Sequence, residues 1–201
     1  RVSRGLGDVY KRQHEDILNL VKNKTPKYGN DDDYADDIMV SVFNEYKDYI
    51  TGRPTTRGGV YHVDMLPTTC HVYFGDVMIA SPNGRLAHIP LSEGISPEKG
   101  ADINGPTAVV KSCSKMNHCE TGGTLLNQKF TPAAIAGEKG IDNLAALIRS
   151  YFAMNGHHMQ FNVIDRQTLI EAQKNPEEYK ELIVRVAGYS DYFRNLDKPL
   201  Q

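Results

Sequence analysis

Apolar and polar positions alternate along this chain in a way that predicts helices and strands in turn. In HEDILNLVKN, residues 14–23, Ile17, Leu18, Leu20 and Val21 cluster at helical spacing. A polar stretch follows. Then Ile38, Met39, Val42, Phe43 and Tyr46 recur on one face of a helix that Asn30 or the Asp31–Asp33 run caps and Gly52 ends. Residues 60–80 (VYHVDMLPTTCHVYFGDVMIA) are rich in β-branched and aromatic side chains and predict a strand, broken or edged at Pro67. SPNGR, residues 81–85, reads as a turn. The Gly- and Pro-rich run from Ser92 carries no period and reads as a long loop, a kind more often functional than idle.

A helix is expected over Thr107–Lys115, with Pro106 in its first turn. A short strand then closes TGGTLLNQKF, and a further helix start is expected at Thr131–Ala133. Leu144, Leu147, Ile148 and Tyr151 line one side of an amphipathic helix over Ile141–Phe152. In HHMQFNVI, Met159, Phe161 and Val163 alternate with Gln160 and Asn162, a strand pattern. Residues 166–181 predict a helix broken near Pro176, and Leu182–Val186 an apolar strand leading into a glycine loop. Helices alternating with strands indicate an α/β fold with parallel pairing.

Composition narrows the function classes. The 201 residues are 40% hydrophobic and 24% charged, enough for a real core. A net charge of -2 gives no basic excess, so nucleic acid is not an expected partner. No apolar run approaches the roughly 20 residues of a membrane span. The 3 cysteines are unevenly spaced, which argues against a disulfide framework and for a reducing, cytoplasmic setting. The opening RVSRGLGDVYKRQ, residues 1–13, lacks an apolar face and is expected to be a non-native or disordered extension.

The chemistry concentrates near the C-terminal end. In RVAGYSDYF, residues 185–193, an isolated Gly188 would ordinarily signal only a positive φ after a strand. The whole string, however, resembles the signature of the glycyl radical enzymes, whose Arg, Val, Gly, Tyr and Phe fall on Arg185, Val186, Gly188, Tyr189 and Phe193. A Cα radical between an electron-donating amide nitrogen and an electron-withdrawing carbonyl is stabilised if the centre flattens. A side chain would crowd that centre, which explains the glycine, and burial would shield it. NKTPKYGNDDDYADDIM, VDMLPTTCHVYFG, SEGISPEKGADINGPTAVVKS, TGGTLLNQKF and GHHMQFNV also resemble the dehydratase and choline-lyase branch of the family, so the likeness covers nearly all of residues 15–201.

The resemblance implies that residues 14–201 form the second half of a ten-stranded α/β barrel ending in the glycyl radical loop, about 184–194. Gly188 would store the radical, installed by a partner activating enzyme that uses S-adenosylmethionine and an iron–sulfur cluster, with no cofactor bound to the chain. The implied reaction is radical dehydration of a small molecule, trans-4-hydroxy-L-proline on the match of NKTPKYGNDDDYAD, TGRP, VDMLPTTCH and GYSDYF. Relatives acting on choline, glycerol or propane-1,2-diol, and a small repair protein that resembles only the radical domain, stand as alternatives. The family's Cys-x-Glu thiyl motif has no counterpart here, so the chain is expected to be a fragment that needs its missing N-terminal half; the parent is expected to be a homodimer. In the family's barrel the strand with Thr68 lines the cavity, and Thr68, alternating with Cys70 and Val72, becomes a candidate substrate contact.

Other clusters read as structural. Cys113, His118 and Cys119 lack the paired spacing of a metal site, and no metal is expected. Adjacent His157 and His158 point to opposite faces of a strand. Asp31–Asp33 reads as a solvated helix start, and Gly122–Gly123 lacks the Lys-Ser/Thr of a phosphate loop.

Overall fold

The computed structural model describes residues 14–201. The proposed extension at residues 1–13 lies outside the described residues. Residues 14–19 are helical and run into a π-helical turn, Leu20–Lys24. Five α-helices follow: α1 Asp33–Ile50, α2 Cys70–Val77, α3 Pro106–Ser114, α4 Gly137–Ala153 and α5 Arg166–Lys174. Four strands, β1 Leu126–Phe130, β2 Met159–Val163, β3 Ile183–Arg185 and β4 Ser190–Tyr192, form two sheets of two strands each. Among the described residues, no helix is long and apolar enough to cross a membrane.

The helix ends follow from local chemistry. The Asp32 carboxylate accepts a hydrogen bond from the Ala35 amide at 3.2 Å, and Asp33 and Asp36 lie in the first turn, where the helix dipole favours them. Gly52, just past the end of α1, has φ of 82°. Pro106 occupies the first turn of α3 as expected. Of the apolar positions expected to face inward from α1, Phe43 is buried and Met39 packs against the same core, while Ile38, Val42 and Tyr46 are exposed.

The Asp31–Asp33 run is more than a solvated helix start. Lys111 bonds Asp31 and Lys115 bonds Asp33, each at 2.7 Å, and Lys115 also reaches the fully buried Asp36 at 2.7 Å. Ser112 donates to Asp36 at 2.8 Å. These contacts lock α1 to α3 over a core of Phe43, Val63, Ile95, Val110, Leu126 and Tyr151.

The strand expected over residues 60–80 is not formed. Met65 makes an isolated parallel bridge with Thr124, and α2 begins at Cys70. Thr68 has φ of 56°, and the Pro67 carbonyl accepts from the Cys70 amide, so the chain turns into a helix there. His71, Val72 and Gly75 face inward, a spacing of one and four that is helical. A Cβ on Gly75 would lie 2.4 Å from the Ile89 carbonyl oxygen, so α2 packs closely on that backbone. β-branched and aromatic content misled here because tertiary packing overrides propensity.

The other expectations for the second half match, except that the helix expected over residues 166–181 ends at Lys174 and residues 176–181 form turns. β1 and β2 pair in parallel, Leu126 with Met159 through Phe130 with Val163, joined by a crossover through α4. β3 and β4 form an antiparallel hairpin, with Ile183 opposite Tyr192 and Arg185 opposite Ser190. A second small core of Ala172, Phe193 and Leu196 seats the hairpin against α5.

Candidate functional site

The register of the hairpin makes Ala187 and Gly188 the two central residues of its turn. The Val186 amide donates to the Tyr189 carbonyl at 2.8 Å. Gly188 takes φ of 79°, a left-handed value at the second central position that favours glycine. A Cβ built there meets no atom within 4 Å. Glycine is thus required by backbone conformation rather than by crowding within this chain. Ala187 is buried, whereas Gly188 and Tyr189 are exposed, so within this chain the glycine is not shielded as the radical chemistry led us to expect.

The turn is held by side-chain amides from the parallel sheet. Asn127 on β1 and Gln160 on β2 are register partners, and the Gln160 Nε2 donates to the Asn127 Oδ1. Both donate to the Val186 carbonyl, Asn127 Nδ2 at 3.2 Å and Gln160 Nε2 at 3.1 Å. Gln160 Oε1 accepts from the Gly188 amide at 3.3 Å and from Arg185 Nε at 3.0 Å. Asn162 makes both bonds that a neighbouring strand would offer Arg185, accepting from its amide at 2.8 Å and donating to its carbonyl at 2.7 Å. The hairpin thus docks on β2 through side chains that substitute for backbone pairing.

Glu93 completes this network, accepting from Asn127 Nδ2 through Oε2. Burial raises its carboxyl to about 7, outweighing the amide donation that pulls it down. Its other oxygen is buried with no partner among the described residues. Glu93, Asn127, Asn162, Arg185 and Val186 line a cavity of about 300 Å³ together with His71.

The residues named from the signature are therefore gathered in one place. Arg185 and Val186 are held by the amides, Gly188 lies at the turn, and Tyr189 follows it on the exposed side. Phe193 is buried in the second core, and its amide donates to the Leu182 carbonyl at 2.8 Å. Thr68 is exposed in the turn ahead of α2, so the strand alternation with Cys70 and Val72 does not apply to it.

Glu93, Asn127, Gln160 and Asn162 were not anticipated as site residues. Gln160 and Asn162 alternate with the apolar positions of the strand pattern, yet Gln160 is only 6% exposed. The usable signal was uncharged amides at alternate positions of a parallel strand, a kind of strand normally covered on both faces.

The remaining clusters are structural in geometry. His118 is buried; Nε2 donates to the Cys113 carbonyl at 2.9 Å, which leaves Nδ1 to accept from the Thr124 hydroxyl at 2.8 Å. Burial lowers its tendency to protonate. Cys113 is buried and Cys119 exposed, and the described residues hold no group of three or more potential metal ligands.

Comparison with known proteins bears on the same residues. The family description "Glycine radical" matches residues 91–194, and "Pyruvate formate lyase-like" matches residues 9–75. The chain is 69% identical over 188 residues to trans-4-hydroxy-L-proline dehydratase of Clostridioides difficile, covering 94% of this chain and 24% of that protein. It superposes on the crystal structure of the Clostridioides difficile hydroxyproline dehydratase with trans-4-hydroxy-L-proline bound, at a TM-score of 0.90 and 67% identity, covering 96% of this chain and 24% of that one. The glycerol-bound, B12-independent glycerol dehydratase of Clostridium butyricum matches at a TM-score of 0.89 and 46% identity, over 94% of this chain and 24% of that one. The chain spans about a quarter of the length of these relatives.

Proposed function

The chain belongs to the glycine radical family, and from that premise we propose that it is the glycyl radical region of a trans-4-hydroxy-L-proline dehydratase, with Gly188 as the radical carbon. The observation that carries this reading is the 69% identity to the Clostridioides difficile enzyme over 94% of the chain, with RVAGYSDYF forming a hairpin turn whose glycine has no side chain to crowd it.

In this reading a radical S-adenosylmethionine activating enzyme removes one hydrogen atom from the Gly188 Cα. The glycyl radical takes a hydrogen atom from a cysteine thiol on a part of the protein outside this chain. The resulting thiyl takes one from the substrate carbon next to nitrogen. The neighbouring hydroxyl leaves as water with a proton from a general acid. The substrate nitrogen gives up a proton that restores the acid, the thiol returns its hydrogen atom, and the product is pyrroline-5-carboxylate. Arg185, Val186, Tyr189 and Phe193 support the turn, and Thr68, on its exposed turn, supplies a substrate-facing hydroxyl. The reading includes a fold in which residues 14–201 complete a ten-stranded barrel whose other half covers Gly188, in a cytoplasmic homodimer.

The full-length protein, activated without oxygen, tests this. An electron paramagnetic resonance doublet from one α-hydrogen should be present, absent in Gly188→Ala, and followed on air exposure by cleavage at Gly188. Because φ is left-handed there, Gly188→Ala should also cost on the order of 1–2 kcal/mol of stability. Conversion of trans-4-hydroxy-L-proline to pyrroline-5-carboxylate is expected. Turnover of glycerol instead would reassign the substrate and keep the radical, whereas a doublet persisting in Gly188→Ala would overturn the assignment.

A further inference from the structure

We infer that Gln160 is a positioning residue for the Gly188 peptide, holding its N–H in a fixed direction while the radical is stored; this rests on Gly188 being the radical carbon. One side chain spans the turn. Gln160 Oε1 accepts from the Gly188 amide at 3.3 Å, and Gln160 Nε2 donates to the Val186 carbonyl at 3.1 Å. Its orientation is set from both ends, because Nε2 also donates to Asn127 Oδ1 and Oε1 also accepts from Arg185 Nε at 3.0 Å. Gln160 is nearly fully buried, which keeps its own amide group largely away from solvent.

The chemistry selects an amide at this position. Delocalisation of the unpaired electron needs the Gly188 nitrogen lone pair aligned with the half-filled orbital on Cα. Donation from nitrogen makes its N–H more positive, and a bond from that N–H to an acceptor strengthens accordingly. Glutamine offers the acceptor to Gly188 and a donor to Val186 at once. A carboxylate supplies only the first, and an aliphatic side chain neither. The bond therefore favours the radical over the closed-shell glycine and restrains rotation of the peptide that carries it.

The test uses the full-length protein, with hydrogen exchange at the Gly188 amide before activation and electron paramagnetic resonance after it. In the unmutated protein this amide should be protected; exchange at the rate of a free amide overturns the inference without any variant. In Gln160→Leu exchange should accelerate about five- to tenfold, the worth of one ordinary hydrogen bond. The α-hydrogen splitting should change, and the radical should decay faster in the absence of oxygen. Gln160→Glu, which keeps the acceptor for Gly188 but loses the donor to Val186, should hold the splitting closer to the unmutated value than Gln160→Leu does, an ordering that a merely structural role does not give. A Gln160→Leu protein with unchanged exchange, splitting and decay overturns the inference. A doublet that persists in Gly188→Ala would reject the radical assignment alone, and the exchange result would still decide whether Gln160 holds the turn.

Discussion

Glu93 shows what a single buried group does here. Its carboxyl is lifted from the ordinary 4.5 to about 7 by burial. Between those values the folded protein binds more protons than the unfolded chain, so the stability contributed by the neutral carboxyl is full below 4.5 and is lost as pH rises through about 7. Glu93→Gln, permanently neutral, should match the unmutated protein at low pH and exceed it in denaturant resistance above pH 7. Parallel curves of unfolding midpoint against pH would refute this. Cys113 is the second case. Burial pushes its thiol up to about 12, while Cys70 and Cys119 are exposed. Alkylation of the native protein followed by mass spectrometry should modify Cys70 and Cys119 and spare Cys113 until the chain is unfolded. Labelling of native Cys113 would show that its site opens.

Among the elements, the β3–β4 hairpin is the most dependent on its neighbours. Strands of three residues with a two-residue turn do not persist alone. Asn162 supplies both hydrogen bonds to the Arg185 backbone, so Asn162→Ala leaves a half-buried donor and acceptor unpaired. The expected cost is about 1–3 kcal/mol, with loss of exchange protection concentrated in residues 183–192; protection equal to that of the unmutated protein would show that the hairpin stands on its own. For α1, Asp32→Ala removes the cap on the Ala35 amide and should cost about 1 kcal/mol in chemical denaturation.

At the scale of the whole molecule, apolar surface is left uncovered in the described residues. Tyr34, Ile38, Val42, Tyr46 and Tyr49 of α1 are all exposed and recur at helical spacing, forming one stripe. Ile183 and Tyr192, opposite each other on the hairpin, are also exposed. The 201-residue chain expressed alone should therefore self-associate, with a sedimentation coefficient that rises with concentration. Charged replacements at Ile38 and Val42 should reduce that rise. A monomer at all concentrations would mean that these residues find cover within the chain.

Local rules made much of this molecule legible. Pro106, Gly52, the Asp31–Asp33 run and the period of Leu144 to Tyr151 marked helices, because caps and amphipathic spacing act within a few residues. The alternation in MQFNV marked β2, and RVAGYSDYF marked the glycine turn because its string was read as a unit. Two things were settled only by packing. Residues 70–77 became a helix because a turn at Thr68 and the close backbone at Ile89 favour one there, against the bias of their side chains. The polar alternate positions of β2 turned inward because the hairpin, distant in sequence, brings the Val186 carbonyl and the Gly188 amide to them. Alternation gives two faces but not which is buried; that depends on which partner arrives, and buried amides are stable only when that partner completes their hydrogen bonds.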